Sequence, residues 1–291
     1  MAGLLSGLEK LGLKKLENMD LYESSGEKAP EQGSVKAPEQ EAVTVKEEDF
    51  LFDKTYECPV CYKSFKVRTL RSSKARLIRT DKDLRPVYEH IEPLKYDVVA
   101  CPHCGYATLT RYFGGLTPSQ IKAVKENISK DFQASDNKKV VYTYEEALGR
   151  YKLSLANTIV KHGKSSEKAY VCLKAGWLLR SMGENLKSSE EGYEEKLADI
   201  RKQEKEFLKN ALEGLIAARQ NESYPICGMD EITVEYLIAV LAMEFGQYEV
   251  ASRLISNILV SPSATGRMKD RARDIKEELI VKIREKNAGL S

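Results

Sequence analysis

Two short cysteine hooks constrain this chain of 291 residues more than any other feature: Cys58-Pro59-Val60-Cys61 and Cys101-Pro102-His103-Cys104-Gly105. In each hook a tight turn aims two sulfurs at one point. Four thiolates about 2.3 Å from a shared ion form the tetrahedral cage that zinc prefers. Any fold must therefore bring two distant segments together. The Cys-Pro opening of both hooks, and Gly105 after the second, suit a turn whose backbone amides face the sulfurs. Two unrelated thiol pairs would make the matching pattern a coincidence, and a redox dithiol normally stands alone at a strand-to-helix junction. A four-thiolate zinc has no open coordination position, so a structural ion is expected. Iron fits the same cage geometrically. His103, in the middle of its hook, is expected to face solvent, and His90 would serve only if a hook were broken.

The remaining cysteines, Cys172 and Cys227, stand alone. That usage fits a reducing cytoplasm better than a secreted disulfide framework. Lys plus Arg (46) nearly balances Asp plus Glu (44), so no global field draws the chain to nucleic acid or membrane. Hydrophobic residues make up 42%, enough for a core. No apolar run approaches the ~20 residues that would span a bilayer. Residues 1–23 carry Leu4, Leu5, Leu8, Leu11 and Leu16 among charges, which predicts a short amphipathic segment rather than a secretory signal. It would dock on the body, a partner or a membrane surface. Residues 24–48 contain almost no large apolar side chain and predict a disordered linker.

Residues 49–115 predict short strands feeding the two metal turns, a zinc-ribbon-like module with an insertion between its halves. After the second hook the apolar period lengthens to that of a helix. Thr117-Pro118 opens one helix, and Thr143 with Glu146 is a capping box launching Tyr144 to about Val160. Further helices are expected from Ser166 to about Met182, Glu190 to Arg219, Glu231 to Phe245, Tyr248 to Leu259, and Ala264 to Lys286. Within residues 116–291 the run Glu244-Phe245-Gly246-Gln247-Tyr248-Glu249-Val250-Ala251 looks like the inter-helix turn of a tetratricopeptide repeat. A clean period of about 34 residues is absent, so any repeats are degenerate. The fold class expected is α+β and mostly α: a small β module followed by antiparallel helical hairpins.

From Phe50 onward the order of motifs resembles a bacterial family known as domain of unknown function 2225. The resemblance rests on Tyr56-Glu57-Cys58-Pro59-Val60-Cys61, Arg76-Leu77, Asp81-Lys82-Asp83-Leu84-Arg85-Pro86 with Tyr88, and Tyr96-Asp97-Val98. It continues through Cys101-Pro102-His103-Cys104-Gly105-Tyr106-Ala107, Ser166-Glu167-Lys168-Ala169-Tyr170 and Trp177. It implies a cytoplasmic bacterial protein with a four-Cys metal site, a helical repeat-like C-terminal part and no established activity.

Asp81, Asp83 and Arg85 are the second set of candidate ligand-binding residues. Two carboxylates two residues apart can hold Mg²⁺ with a phosphate that Arg clamps. The same residues equally describe a turn whose Asp side chains bond backbone amides while Arg85 pairs with one of them. Ten Lys and Arg against five Asp and Glu leave a local +5 between the hooks, which would suit nucleic-acid phosphates or a solvated strand face. Enzyme signatures are mostly absent: Gly163-Lys164-Ser165 lacks the leading glycine of a phosphate-binding loop, since Thr158 stands in its place. Trp177 is expected to pack in a helix core. The expected role is a scaffold whose helical surface holds a protein or peptide. Nucleic-acid binding and, behind it, a metal-assisted phosphoryl or nucleotide enzyme are the alternatives.

Overall fold

Every strand in the computed structural model, which describes residues 46–133 and 140–289, belongs to a two-stranded antiparallel hairpin. Leu51–Glu57 (β1) pairs with Ser64–Leu70 (β2) in unbroken register from Leu51↔Leu70 to Glu57↔Ser64. Leu77–Thr80 (β3) pairs with Pro86–Tyr88 (β4), with an irregularity between Leu77 and Arg79. Val98–Ala100 (β5) pairs with Ala107–Leu109 (β6). The first and third hairpins turn on the two cysteine hooks. An isolated hairpin is marginal in water, so each of the three needs an outside tie.

The amphipathic segment expected over 1–23, and the linker as far as residue 45, lie outside the described residues. At the linker's far edge Glu47–Phe50 forms one helical turn. The Glu47 carboxylate there accepts from Lys95 Nζ and from Tyr96 Oη, both at 2.7 Å.

The helices follow as the sequence periods predict. Pro118–Val124 (α1) starts at Thr117 and runs on into a wider turn, Lys125–Ser129. Tyr144–Val160 (α2) starts at the Thr143 capping box, where the Glu146 carboxylate accepts from Thr143 N at 2.9 Å. Ser165–Asn185 (α3), Tyr193–Asn221 (α4), Glu231–Glu244 (α5), Tyr248–Val260 (α6) and Gly266–Asn287 (α7) complete the chain. Neighbours in sequence pack against one another, the longest contact being α3 on α4. There Gly176 lets α4 approach so closely that an added Cβ would lie 2.6 Å from Leu208. The turn expected at Gly246 is present, with φ at +72°. Among the described residues no helix is long and apolar enough to cross a membrane.

Two cores meet across β5–β6. Val98, Ala107 and Leu109 point into the large apolar cluster built by α2 to α7. Val99, one residue on, points into a smaller cluster with Cys58, Cys101, Cys104, Val60, Phe65 and Val67. This is the strand period of two at work: successive side chains take opposite faces. The third hairpin is thus a wall shared by the metal turns and the helices. Tyr151 on α2 donates to the Leu94 carbonyl at 3.1 Å, and Asn157 donates to the Gly105 carbonyl at 2.9 Å, fixing the wall to α2.

Candidate metal centre

The two hooks fold alike because the same local bonds close them. Tyr62 N donates to the Cys58 carbonyl at 2.8 Å, and Gly105 N donates to the Cys101 carbonyl at 3.1 Å. Cys58 N donates to the Lys63 carbonyl, and Cys101 N to the Tyr106 carbonyl. The residue after each second cysteine takes the left-handed conformation, Tyr62 at φ 59° and Gly105 at φ 74°. Tyr62 bears that strain with its side chain largely in solvent. At Gly105 there is no room, because an added Cβ would sit 2.5 Å from Phe132 Cδ2. Gly105→Ala is therefore expected to cost about 2 kcal/mol from backbone strain and overpacking together. A urea titration checks this, and a midpoint equal to wild type would refute it.

The four sulfurs converge. Cys58 Sγ lies 3.5 Å from Cys104 Sγ, Cys61 Sγ lies 3.7 Å from Cys101 Sγ, and all four fall within 4.8 Å of one another. A regular tetrahedron with metal–sulfur distances of about 2.3 Å has sulfur–sulfur edges of about 3.8 Å, so the donor set fits a four-thiolate ion. Backbone amides of Cys61 and Val60 face the Cys58 sulfur, as those of His103 and Cys104 face Cys101. Crowding splits the thiols. Hydrogen bonds from Cys101 and then Cys104 hold Cys58 far below the usual thiol range. Cys104 is pushed well above it by Cys101, Cys58 and burial. Cys58, Cys101 and Cys104 are buried and Cys61 is half-buried. His103 and His90 are exposed and take no part in the cluster. A metal there would tie β1–β2 to β5–β6, which no strand pairing among the described residues joins.

Asp81, Asp83 and Arg85 come together in the β3–β4 turn, where Leu84 takes φ 68° and Asp81 N donates to the Arg85 carbonyl at 2.8 Å. Arg85 is 1% exposed. Its Nε donates to Asp81 at 2.6 Å, and its Nη2 donates to both oxygens of Glu184 on α3. Burial alone would lower the Arg85 pKa, but the Glu184 and Asp81 carboxylates raise it. Asp83 is 3% exposed and accepts from Trp177 Nε1 at 2.9 Å and Arg180 Nη1 at 2.8 Å, both on α3. Arg180 in turn donates to Glu204 on α4 at 2.7 Å. Lys82 pairs with Glu278 on α7, and Arg79 with Asp81. A cavity of about 550 Å³ opens here, walled in part by Asp81, Arg180, Val240, Met243 and Lys282. Trp177 packs in the core as expected, and its indole N–H also finds a carboxylate. Arg180, Glu184 and Glu204 escaped the sequence reading. Their signal was no more than a charge on α3 or α4, both of which also carry charges to solvent.

The local +5 between the hooks is mostly compensated. Arg68 pairs with Asp53, Arg76 with Glu89, and Lys95 with Glu47, beside the pairs of Arg79, Lys82 and Arg85 already described. Arg71 and Lys74 donate to the carbonyls of Leu51 and Asp49. Of the ten basic side chains, Lys63 and Lys66 alone have no partner among the described residues.

A family model described as "Uncharacterized protein conserved in bacteria (DUF2225)" matches residues 51–279, which span both hooks and run into α7. No curated protein and no solved structure matches the chain.

Proposed function

The chain belongs to the DUF2225 family, and on that premise we propose that it is a cytoplasmic interaction scaffold stapled by one structural Zn²⁺ held by Cys58, Cys61, Cys101 and Cys104. The observation that carries the reading is the closed sulfur cage, with all four thiols within 4.8 Å of one another. A four-thiolate zinc fills its coordination shell with protein, so its chemistry is to hold the hairpins and not to activate a ligand. Free, buried Cys172 and Cys227 suit a reducing compartment. For the helical part, support comes from the α5–α6 turn at Gly246, which resembles a degenerate tetratricopeptide repeat, and from a groove of about 450 Å³ edged by Tyr248, Arg253, Ile283 and Lys286. Such stacked helix pairs offer a protein or peptide a continuous surface. The compensated charges between the hooks weigh against nucleic acid, whose phosphates need unpaired cations.

Metal analysis of the purified full-length chain tests the reading. One colourless zinc per chain is the expected result. A coloured iron centre, or a folded chain with no metal, would overturn it.

A further inference from the structure

The groups around the 550 Å³ cavity largely satisfy one another. A smaller cavity of about 280 Å³, walled by β2, β4, the turn Pro93–Tyr96 and α3, is different. Tyr88 reaches it from β4, Glu92, Tyr96 and Asp97 from the Pro93–Tyr96 turn and its caps, Thr110 from beyond β6, and Lys174 from α3. Lys174 is 15% exposed along its side chain and is already paired with Asp97. Thr110 is likewise engaged, donating to the Asp97 carbonyl at 2.9 Å. Glu92 is served by hydrogen bonds alone. It accepts one backbone N–H, from Leu94 at 3.1 Å, and forms no ion pair among the described residues. Burial pushes its carboxyl above the usual range, opposed in part by a hydrogen bond with Ser181, by the Leu94 amide and by the charges of Arg85 and Lys95, which are themselves paired with Glu184 and Glu47. Burial likewise raises the Tyr88 hydroxyl, with Lys174 and Glu92 both near enough to act on it. The Tyr88 ring faces no other ring or cation among the described residues.

With Lys174 and Asp97 cancelling, the ionised cavity carries one negative charge. A half-buried carboxylate without an ion pair costs free energy, which is relieved by taking up a proton or by a cation brought to it. An anionic ligand would meet Glu92 and Asp97 with no free positive group to receive it. A neutral ligand would leave Glu92 unpaired. A carboxylate and an aromatic ring that line one cavity are groups that together receive an ammonium or guanidinium group. The volume lies near the small end of ligand pockets, which run from about 300 Å³ upward.

We propose that this cavity is a binding site for a small organic cation, a primary amine or guanidine, that pairs with Glu92 and lies against the Tyr88 ring. The site is separate from the cysteine cage and does not depend on its metal. Three probes of equal length separate the ligand classes: n-butylammonium, n-butanol and butyrate, each titrated against the full-length metal-loaded chain by saturation-transfer NMR and thermal melting. Saturable binding of n-butylammonium alone is expected. Glu92→Gln, which keeps the shape and removes the charge, should weaken it at least tenfold. Tyr88→Leu should weaken it several-fold while leaving Glu92 in place. An equal response to all three probes, a preference for butyrate, or no response to any would overturn the proposal. So would unchanged amine affinity in Glu92→Gln, or in Tyr88→Leu should the glutamine variant fail to fold.

Discussion

Cys58→Ser combined with Cys101→Ser is expected to abolish metal binding and unfold both cysteine hairpins. One ligand is lost from each hook, leaving two thiolates where the cage needs four. Structural zinc sites contribute an apparent ~10–16 kcal/mol at neutral pH, as much as or more than the whole stability of a typical domain at about 5–15 kcal/mol. The loss will not spread evenly. β1–β2 depends on the cage, on the small cluster around Val60, Phe65 and Val67, and at its far end on Leu51 and Leu70, which pack with Phe50, Ile91, Tyr96 and Tyr142. β5–β6 keeps its second face on the helices through Val98, Ala107 and Leu109. Amide exchange should therefore lose protection first over 51–70, next over 98–109, and least in α3 to α5. A chelator applied to the wild type should give the same order. A variant that retains its metal, or loses it with protection unchanged across 51–70, would show that the cage does not hold the fold.

Asp83→Ala should destabilise the protein by about 3 kcal/mol, because breaking a buried ion pair by removing one partner leaves the other uncompensated. Asp83 joins the β3–β4 turn to α3 beside the Arg85–Glu184 pair, accepting from both Trp177 and Arg180. The figure is set at the low end of the range for buried pairs, because Arg180 is 22% exposed along its side chain and retains Glu204. Asp83→Asn should recover part of the loss by keeping an acceptor for the indole. Urea midpoints of the two variants decide it: a shared small shift would remove Asp83 from the structural account. The same variant separates the alternative chemistry, since a Mg²⁺-assisted phosphate site at Asp81 and Asp83 requires Mg²⁺-dependent binding of a phosphorylated ligand that Asp83→Ala abolishes.

Much of this was legible residue by residue. The Thr143 capping box and the Thr117-Pro118 start give α2 and α1 their first turns. The paired Cys-Pro-x-Cys runs foretold a shared point for four sulfurs, which lie within 4.8 Å. His103 was expected in solvent and is exposed. The Asp81–Arg85 run was legible only as two options, a phosphate site or a self-paired turn. The structure adds Glu184, Trp177 and Arg180 to it, each more than ninety positions further along the chain. The basic excess between the hooks looked like a patch until its partners appeared, among them Glu47 and Glu278 from opposite ends of the described chain.

What the sequence by itself determined are features with short-range causes: turns closed by bonds within a few residues, helix starts set by a cap and its third neighbour, and strand alternation that puts Val98 and Val99 on opposite faces. Those depend on sterics and hydrogen bonds inside one turn of chain. Only the tertiary structure decided which charges cancel and which stay alone. A carboxylate's state depends on what burial removes and what distant segments supply. Asp83 receives an arginine and a tryptophan from α3, whereas Glu92, in the same module, receives one backbone amide and the Ser181 hydroxyl but no ion pair. No pattern local to either residue distinguishes them, because the difference lies in where α3 comes to rest.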